Sequence, residues 1–349
     1  MNYKSNFFLG ANSNMGFVSY FKQLQEQSDS MQLLILKGGP GSGKSSLMKR
    51  VAAFAQERGH MLEIIPCASD PSSLDALIDL TANFAMMDGT APHIQDPSVP
   101  GALHHIIYTG DLWDTDKLYK NKDKIKKLSQ SISDLHMGAG AYIKAAASLL
   151  QENIRYSENY INKDAAAEFI KKIVKKLDDG KFSAEKHRLL SAVSVGEIKL
   201  FSKTPNAFAD KIYILEDNWG GVSSYILSRI YDAAKLSGSD FIHCPCSIIP
   251  QKTDHLIFPE KSLAVVTENN FLPFSSGART DCLKFYHSMP LEGVMEERLA
   301  SAEKLLARAC NNVEKAKRLH DELEAYYVQA MDFSRMDSFF ENIKDRFYR

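Results

Sequence analysis

Short apolar runs and helical stripes succeed one another along the chain. Leu33-Leu34-Ile35-Leu36 is an unbroken apolar run of strand length, the pattern of a strand covered on both faces. Just behind it, Leu47, Met48, Val51 and Phe54 recur at helical spacing and predict an amphipathic helix. Phe84-Ala85-Met86-Met87 is a second strand run, closed by Asp88, and Leu103 to Tyr108 predicts another strand. From Ile125 the period becomes helical: Ile125, Leu128, Ile132 and Leu135 predict one helix, and a second is expected after a break at Gly138/Gly140. A longer stripe runs through Leu299, Ala302, Leu306, Ala309, Val313, Ala316, His320, Leu323 and Tyr327. An amphipathic piece with Met336, Phe339, Phe340, Ile343 and Phe347 is expected to fold back on it as a helical hairpin. Strands followed by helices make this an α/β chain.

The pattern occurs twice. Positions 33–85 compared without gaps with 212–264 are identical at 14 of 53 places, where about three are expected from average residue usage. The pairs include Ile35/Ile214, Gly41/Gly220, Arg50/Arg229, Pro66/Pro245, Cys67/Cys246 and Asp75/Asp254. The tails agree at a shift of 170, through Leu149/Leu319, Glu152/Glu322, Tyr156/Tyr326, Phe169/Phe339 and Ile173/Ile343. The expectation is one domain written twice, over 1–178 and 179–349. Each copy is then a parallel sheet flanked by helices with an appended helical hairpin.

Between the first strand and helix lies Gly38-Gly39-Pro40-Gly41-Ser42-Gly43-Lys44-Ser45-Ser46, which contains a full GxxxxGK[ST]. Strand, glycine loop and helix in that order are the context of a phosphate-binding P-loop. The glycines let backbone N–H groups converge on phosphate oxygens, and the helix N-terminus adds the positive end of its dipole. Lys44 would reach the β/γ-phosphates of ATP, and the Ser45 hydroxyl would ligate Mg²⁺. Asp88, at the end of a strand run, has the Walker B position for the same ion. No Glu follows Asp88, so the carboxylate that many ATPases use to activate water is missing from its usual place. Asp70 is a rival metal or substrate group and His93 a candidate contact to the γ-phosphate; a turn-forming Asp and a loop His are the alternatives.

The second copy departs at these positions. Under the gap-free shift Gly38 becomes Asp217, Gly43 becomes Val222, Lys44 becomes Ser223 and Asp88 becomes Thr267. The lysine and metal acid are lost and Glu216 and Asp217 bring like charge, so this copy is expected to bind no Mg·ATP in the usual way.

Composition adds bounds. Apolar residues are 44% and charged residues 24%, and the formal net charge is −1, which argues against a nucleic-acid coat or a polybasic membrane binder. There is no apolar run of spanning length and no signal-like start, and five cysteines form no disulfide framework. Reduced thiols in a cytoplasm are expected, with Cys246 a strand-end core residue rather than a metal ligand. The helical stripes are expected to pack within the chain; a protein partner or self-association through the hairpins is the alternative.

The stretches KGGPGSGKSSLMKR, PCASDPSSLDALI, AMMDGTAPHIQDP and PGALHHIIYTGDLWD resemble a group of bacterial NTPases with two P-loop domains in one chain. The resemblance covers the whole chain and implies ATP binding through Lys44 and Ser45. The second repeat of that group often keeps its own GxxxxGK[ST], which this chain lacks. Three functions stay open: slow ATP hydrolysis, an ATP-gated binding or scaffold protein, and a small-molecule or nucleotide kinase similar to adenylate kinase at its loop. The kinase reading needs arginines, and Arg188, Arg229 and Arg279 of the second copy are the candidates.

Overall fold

A computed structural model describes residues 4–26, 30–177, 184–289 and 292–348. The first copy begins with β1 (Lys4–Asn6), the hairpin β2 (Gly10–Ser13) and β3 (Gly16–Ser19), α1 (Gln23–Glu26) and β4 (Gln32–Lys37). It continues with α2 (Lys44–Glu57), β5 (Leu62–Pro66), β6 (Leu74–Asp79), β7 (Phe84–Asp88) and β8 (His104–Tyr108). Its helical end is α3 (Thr115–Lys120), α4 (Lys122–Glu158) and α5 (Lys163–Val174). The second copy opens with β9 (Glu185–His187), the hairpin β10 (Ser191–Val193) and β11 (Ile198–Leu200), β12 (Lys211–Glu216) and α6 (Gly221–Ser237). Then come β13 (Phe241–Pro245), β14 (Thr253–Phe258), β15 (Leu263–Glu268), β16 (Ala278–Asp281), α7 (Glu292–Ala330) and α8 (Met336–Phe347). The expected junction at 178/179 lies outside the described residues.

Both halves have one strand order. The six-stranded sheets read β1-β5-β6-β7-β4-β8 and β9-β13-β14-β15-β12-β16, as a duplicated α/β domain does. They are mixed, not parallel as expected: β6 and β14 each run antiparallel to both neighbours, while the other pairings are parallel. The cause is chain length. Segments 67–73 and 80–83 are too short for the crossover of a dozen or more residues that a parallel connection needs.

Successive strand residues face opposite ways. Leu34, Leu36, Ile64, Leu77 and Met86 pack under α2. Leu33, Ile35, Ile65, Ala76 and Met87 turn the other way and meet Ile212, Ile214, Ile242 and Ile257 of the second sheet. Helices were expected on both faces of each sheet; instead the sheets pack on one another, with α2 and α6 on the outer faces, while Leu24 of the four-residue α1 joins the inner cluster. The apolar runs required two covers, and the second cover is the other copy. Phe8 and Leu189 mark the relation: each donates its N–H to the other's carbonyl, at 2.8 and 2.9 Å. Arg188 and Glu63 form a fully buried ion pair across the same boundary, with Nε and one terminal nitrogen each 2.9 Å from Oε2.

The helical tails are exchanged. α4 runs unbroken through Gly138 and Gly140, against the expected break. A Cβ on Gly138 would stand 2.7 Å from Asn312, so the glycine serves a close helix approach rather than a stop. Asn153 meets Met295, Gly138 meets Asn312 and Lys124 meets Tyr326, so α4 and α7 pair antiparallel. At about 1.5 Å per residue the 39-residue α7 is about 58 Å long and overshoots its own core. Hence α8 does not fold back on α7. It docks on the first core, with Phe340 against Phe54 and Phe347 stacked on Phe84, while Ile161, Ala166 and Ile173 at α5 join the second core. Paired backbone bonds fasten each exchange: Asp114 N–H to Ala330 O and Asp332 N–H to Leu112 O, and likewise His287 to Tyr160 and Asn162 to Phe285. Among the described residues no helix is long and apolar enough to cross a membrane.

Candidate functional site

The first glycine loop links β4 to α2 at the point where β4 sits between β7 and β8, and the chain leaves for the far side of the sheet. Crevices at such switch points, beyond the carboxyl ends of the strands, are where open α/β sheets bind ligands. Gly38 has φ +154°, and a Cβ there would lie 2.1 Å from the Thr109 hydroxyl, so only glycine fits. That hydroxyl is 3.0 Å from Lys37 O and 2.9 Å from Ser42 Oγ, and the Ser42 hydroxyl donates to Gly39 O. Gly43, at φ +81°, turns the chain into α2, whose first residue is Lys44.

Lys44 is 9% exposed, and its ammonium donates to Gly38 O and Gly39 O at 2.8 Å each. It also lies 3.5 Å from Asp88 Oδ2. Asp88 is delivered by β7, next to β4 with Leu36 opposite, and its Oδ1 accepts from Thr90 N–H at 2.8 Å and from the Thr90 hydroxyl. The Ser45 hydroxyl oxygen accepts the Leu74 N–H at 2.9 Å. Pro40 is half-buried and Ser46 exposed. Loop, lysine and strand-end acid thus come together. Asp70 binds Ser72 and lies 3.3 Å from Lys317 of α7. His93 does not present itself as a free phosphate contact. It is buried between Phe17 and Phe21, with Nε2 3.1 Å from Asp75, because the segment after β7 folds onto the β2–β3 side.

A residue that sequence reasoning missed completes the site. Glu324, on α7 of the second copy, accepts the Gly41 N–H through Oε1 at 3.2 Å. Around it Val328 closes on Gly41, Tyr327 and Trp113 on Gly39, and Met336 on Gly43. The other copy therefore roofs the loop and places a carboxylate on one of its amides. The signal was present in the tail comparison, where Glu324 stands opposite an isoleucine, Ile154.

The second loop is built differently. It holds four residues (217–220) between strand and helix, against six (38–43) in the first, because α6 starts earlier. The gap-free register nonetheless holds on both sides, with Lys37/Glu216 at the strand ends and Leu47/Ile226 and Val51/Ile230 in the helix core, so Ser223 in the Lys44 position lies inside the first turn of α6. Asp217 fills the loop itself. Its carboxylate accepts N–H groups from Trp219 (3.2 Å), Gly220 (2.8 Å) and Ser223 (2.7 Å). A groove of about 610 Å³ beside it is lined by Glu216, Asp217, Glu268, Asp281 and Glu296, which repels a polyphosphate. Thr267, in the Asp88 position, is fully buried. An apolar cavity of about 50 Å³ also lies on this side, between Ile154, Trp219, Ile249 and Phe271.

The arginines considered for a kinase are engaged elsewhere. Arg188 is paired with Glu63, Arg279 with Glu216 and Glu268, and Arg229 lies over the Tyr225 ring. All five cysteines are free thiols. Burial pushes the Cys246 thiol up to about 12, so it is neutral at ordinary pH. No family model, curated protein or solved structure matches the chain.

Proposed function

We propose that the chain is a P-loop ATPase that binds one Mg·ATP at Gly38–Ser45 and hydrolyses it slowly, its second copy being silent toward nucleotide. One observation carries this reading: the first loop holds a carboxylate from elsewhere on its Gly41 N–H, with Lys44 and Asp88 3.5 Å apart beside it. That is anion recognition at the start of a 14-residue helix. In the ATP complex the N–H groups of Gly39, Gly41, Ser42 and Gly43 would take phosphate oxygens, the Gly41 one in place of Glu324, while Pro40 has none to give. Lys44 leaves the loop carbonyls for the β/γ-phosphates. Ser45 and Asp88 would hold Mg²⁺, which would neutralise phosphate charge. Asp217 already saturates the second loop, which supports silence there.

The test is ATP binding by the intact chain and by Lys44→Ala, followed by release of labelled γ-phosphate. One ATP per chain, at least tenfold weaker in the variant, with slow release, is expected. Equal affinity overturns the proposal. A second reading, an ATP-gated binding protein with little turnover, is favoured by the α7 roof, which must lift before ATP enters. Tight binding with release at background rate selects it. The kinase reading is disfavoured by the engaged arginines.

A further inference from the structure

Away from both loops, one cluster of chemistry-bearing side chains has no part in the proposal above. Glu185 and His187 are two apart on edge strand β9, so they face the same way. His243, on β13, is the register partner of His187 and joins them on that face. Glu185 Oε1 lies 3.1 Å from His187 Nε2 and 3.0 Å from His243 Nδ1. The three are partly buried, between Tyr231 of α6 and Tyr20, which stacks on His187 at 5.1 Å.

We propose that Glu185, His187 and His243 form a site for a divalent transition-metal ion of the Zn²⁺ class. Two imidazoles and one carboxylate are the donor set of such ions, whereas Mg²⁺ and Ca²⁺ require oxygen ligands. Donor atoms on a tetrahedral Zn²⁺ with bonds of about 2.0–2.1 Å stand roughly 3.3–3.4 Å apart. The two carboxylate–imidazole spacings need to open by only a few tenths of an ångström, and all three donor atoms lie within 4.8 Å of one another. The second carboxylate oxygen is held 3.4 Å from Lys235, which leaves Oε1 for the ion.

The outer nitrogens are held as well. His243 Nε2 is 3.0 Å from the Thr253 hydroxyl, and His187 Nδ1 is 2.6 Å from the Gln23 amide. Side chains in these places orient metal-binding imidazoles. When the ion takes His187 Nε2, that proton moves to Nδ1 and the Gln23 amide reverses to accept it, giving up its bond to His187 N–H. The first copy shows that the sheet does not require these groups: Lys4, Asn6 and Ile64 occupy the matching strand positions. A partly exposed fourth position then remains for water or a ligand.

The test titrates the metal-stripped full-length chain with Zn²⁺ alone against a chromophoric chelator. Uptake of one equivalent at micromolar or tighter affinity is expected, weakened at least tenfold in His187→Ala and in His243→Ala. Co²⁺ in its place should give the visible absorption of a low-coordinate site, absent from both variants. His187→Gln guards against unfolding: Zn²⁺ should raise the melting temperature of the natural chain and not of this variant. The proposal is overturned if the natural chain takes no Zn²⁺. It is also overturned if uptake survives in the histidine variants but is lost in His320→Ala, which would place the ion at His320, Asp321 and Glu324.

Discussion

Glu324 and Ile154 stand at equivalent places on the two long helices, and each lies over the glycine loop of the other copy. Over the first loop the residue is a carboxylate that accepts Gly41 N–H. Over the second it is apolar, packed 3.0 Å from where a Gly220 Cβ would be, and the loop's amides bind Asp217 instead. Each loop is thus matched with one carboxylate, borrowed in the first case and built in in the second. The N–H groups of a helix N-terminus favour such an anion.

If the first loop binds ATP as proposed, the borrowed carboxylate must compete with phosphate for Gly41. A charge-assisted hydrogen bond contributes about 1.5–3 kcal/mol, and about 1.4 kcal/mol is tenfold in affinity. Glu324→Ala should therefore bind ATP roughly tenfold tighter than the natural chain, while Lys44→Ala binds it at least tenfold weaker. Calorimetry on the three proteins checks this. Unchanged affinity in Glu324→Ala, with the lysine effect intact, removes the competition but leaves the ATP site standing.

The built-in carboxylate has a structural duty. Asp217→Ala strips three N–H groups of their acceptor, two of them within 2.8 Å. Leaving buried donors unmet costs about 1–3 kcal/mol each when water cannot reach them. The variant should melt several degrees lower, at about 2–4 °C per kcal/mol for a large domain. Asp217→Asn, which keeps an acceptor oxygen, should recover part of the loss. A melting curve identical to the natural chain would show that water replaces the carboxylate.

Local patterns were legible where they settle local structure. The run at 33–36 lies in β4, the motif Gly38–Ser45 spans the β4–α2 loop and the start of α2, and Asp88 ends β7, as read. The repeat was legible because α2 and α6 kept their core spacing. What covers an apolar face was not legible, since Leu33 and Ile35 would read alike under a helix or a second sheet. The antiparallel β6 was missed because Leu74–Asp79 contains charged residues and follows a proline-containing turn. Tail exchange was missed because a stripe such as Leu299 to Tyr327 states that a helix is covered, not which core lies at its end. Glu324 became meaningful only when α7 was seen to end on the other copy's loop.

Arg188 and Glu63 tie the copies together where no water competes, with each side chain 2% exposed. Removing one partner of such a pair strands a buried charge and costs about 3–5 kcal/mol, whereas replacing both with apolar residues of similar volume can be nearly neutral. Glu63→Leu and Arg188→Met should each be strongly destabilised in urea melts. The double variant should recover most of the loss. Additive losses would mean that the pair acts through packing of its separate parts rather than through its charge.

Acid sensitivity should have an identifiable source in His255. It is buried in the second sheet, with Nδ1 accepting Thr267 N–H at 3.2 Å, and burial pulls it down from 6.5 to about 4. Above about pH 6.5 both folded and unfolded chains hold it neutral, and it imposes no cost. As pH falls from 6.5 toward 4 the unfolded chain takes up the proton and the folded one does not, so stability declines with acid and levels once both are protonated. A tenfold loss of proton affinity on folding corresponds to about 1.4 kcal/mol, so the decline from this residue is on the order of 3 kcal/mol. His255→Gln has no such proton to take up. Its stability, measured by urea melts from pH 7.5 to pH 4, should therefore fall less steeply than that of the natural chain, even if it starts lower at pH 7.5. Parallel curves for the two proteins would assign the acid limb to other groups.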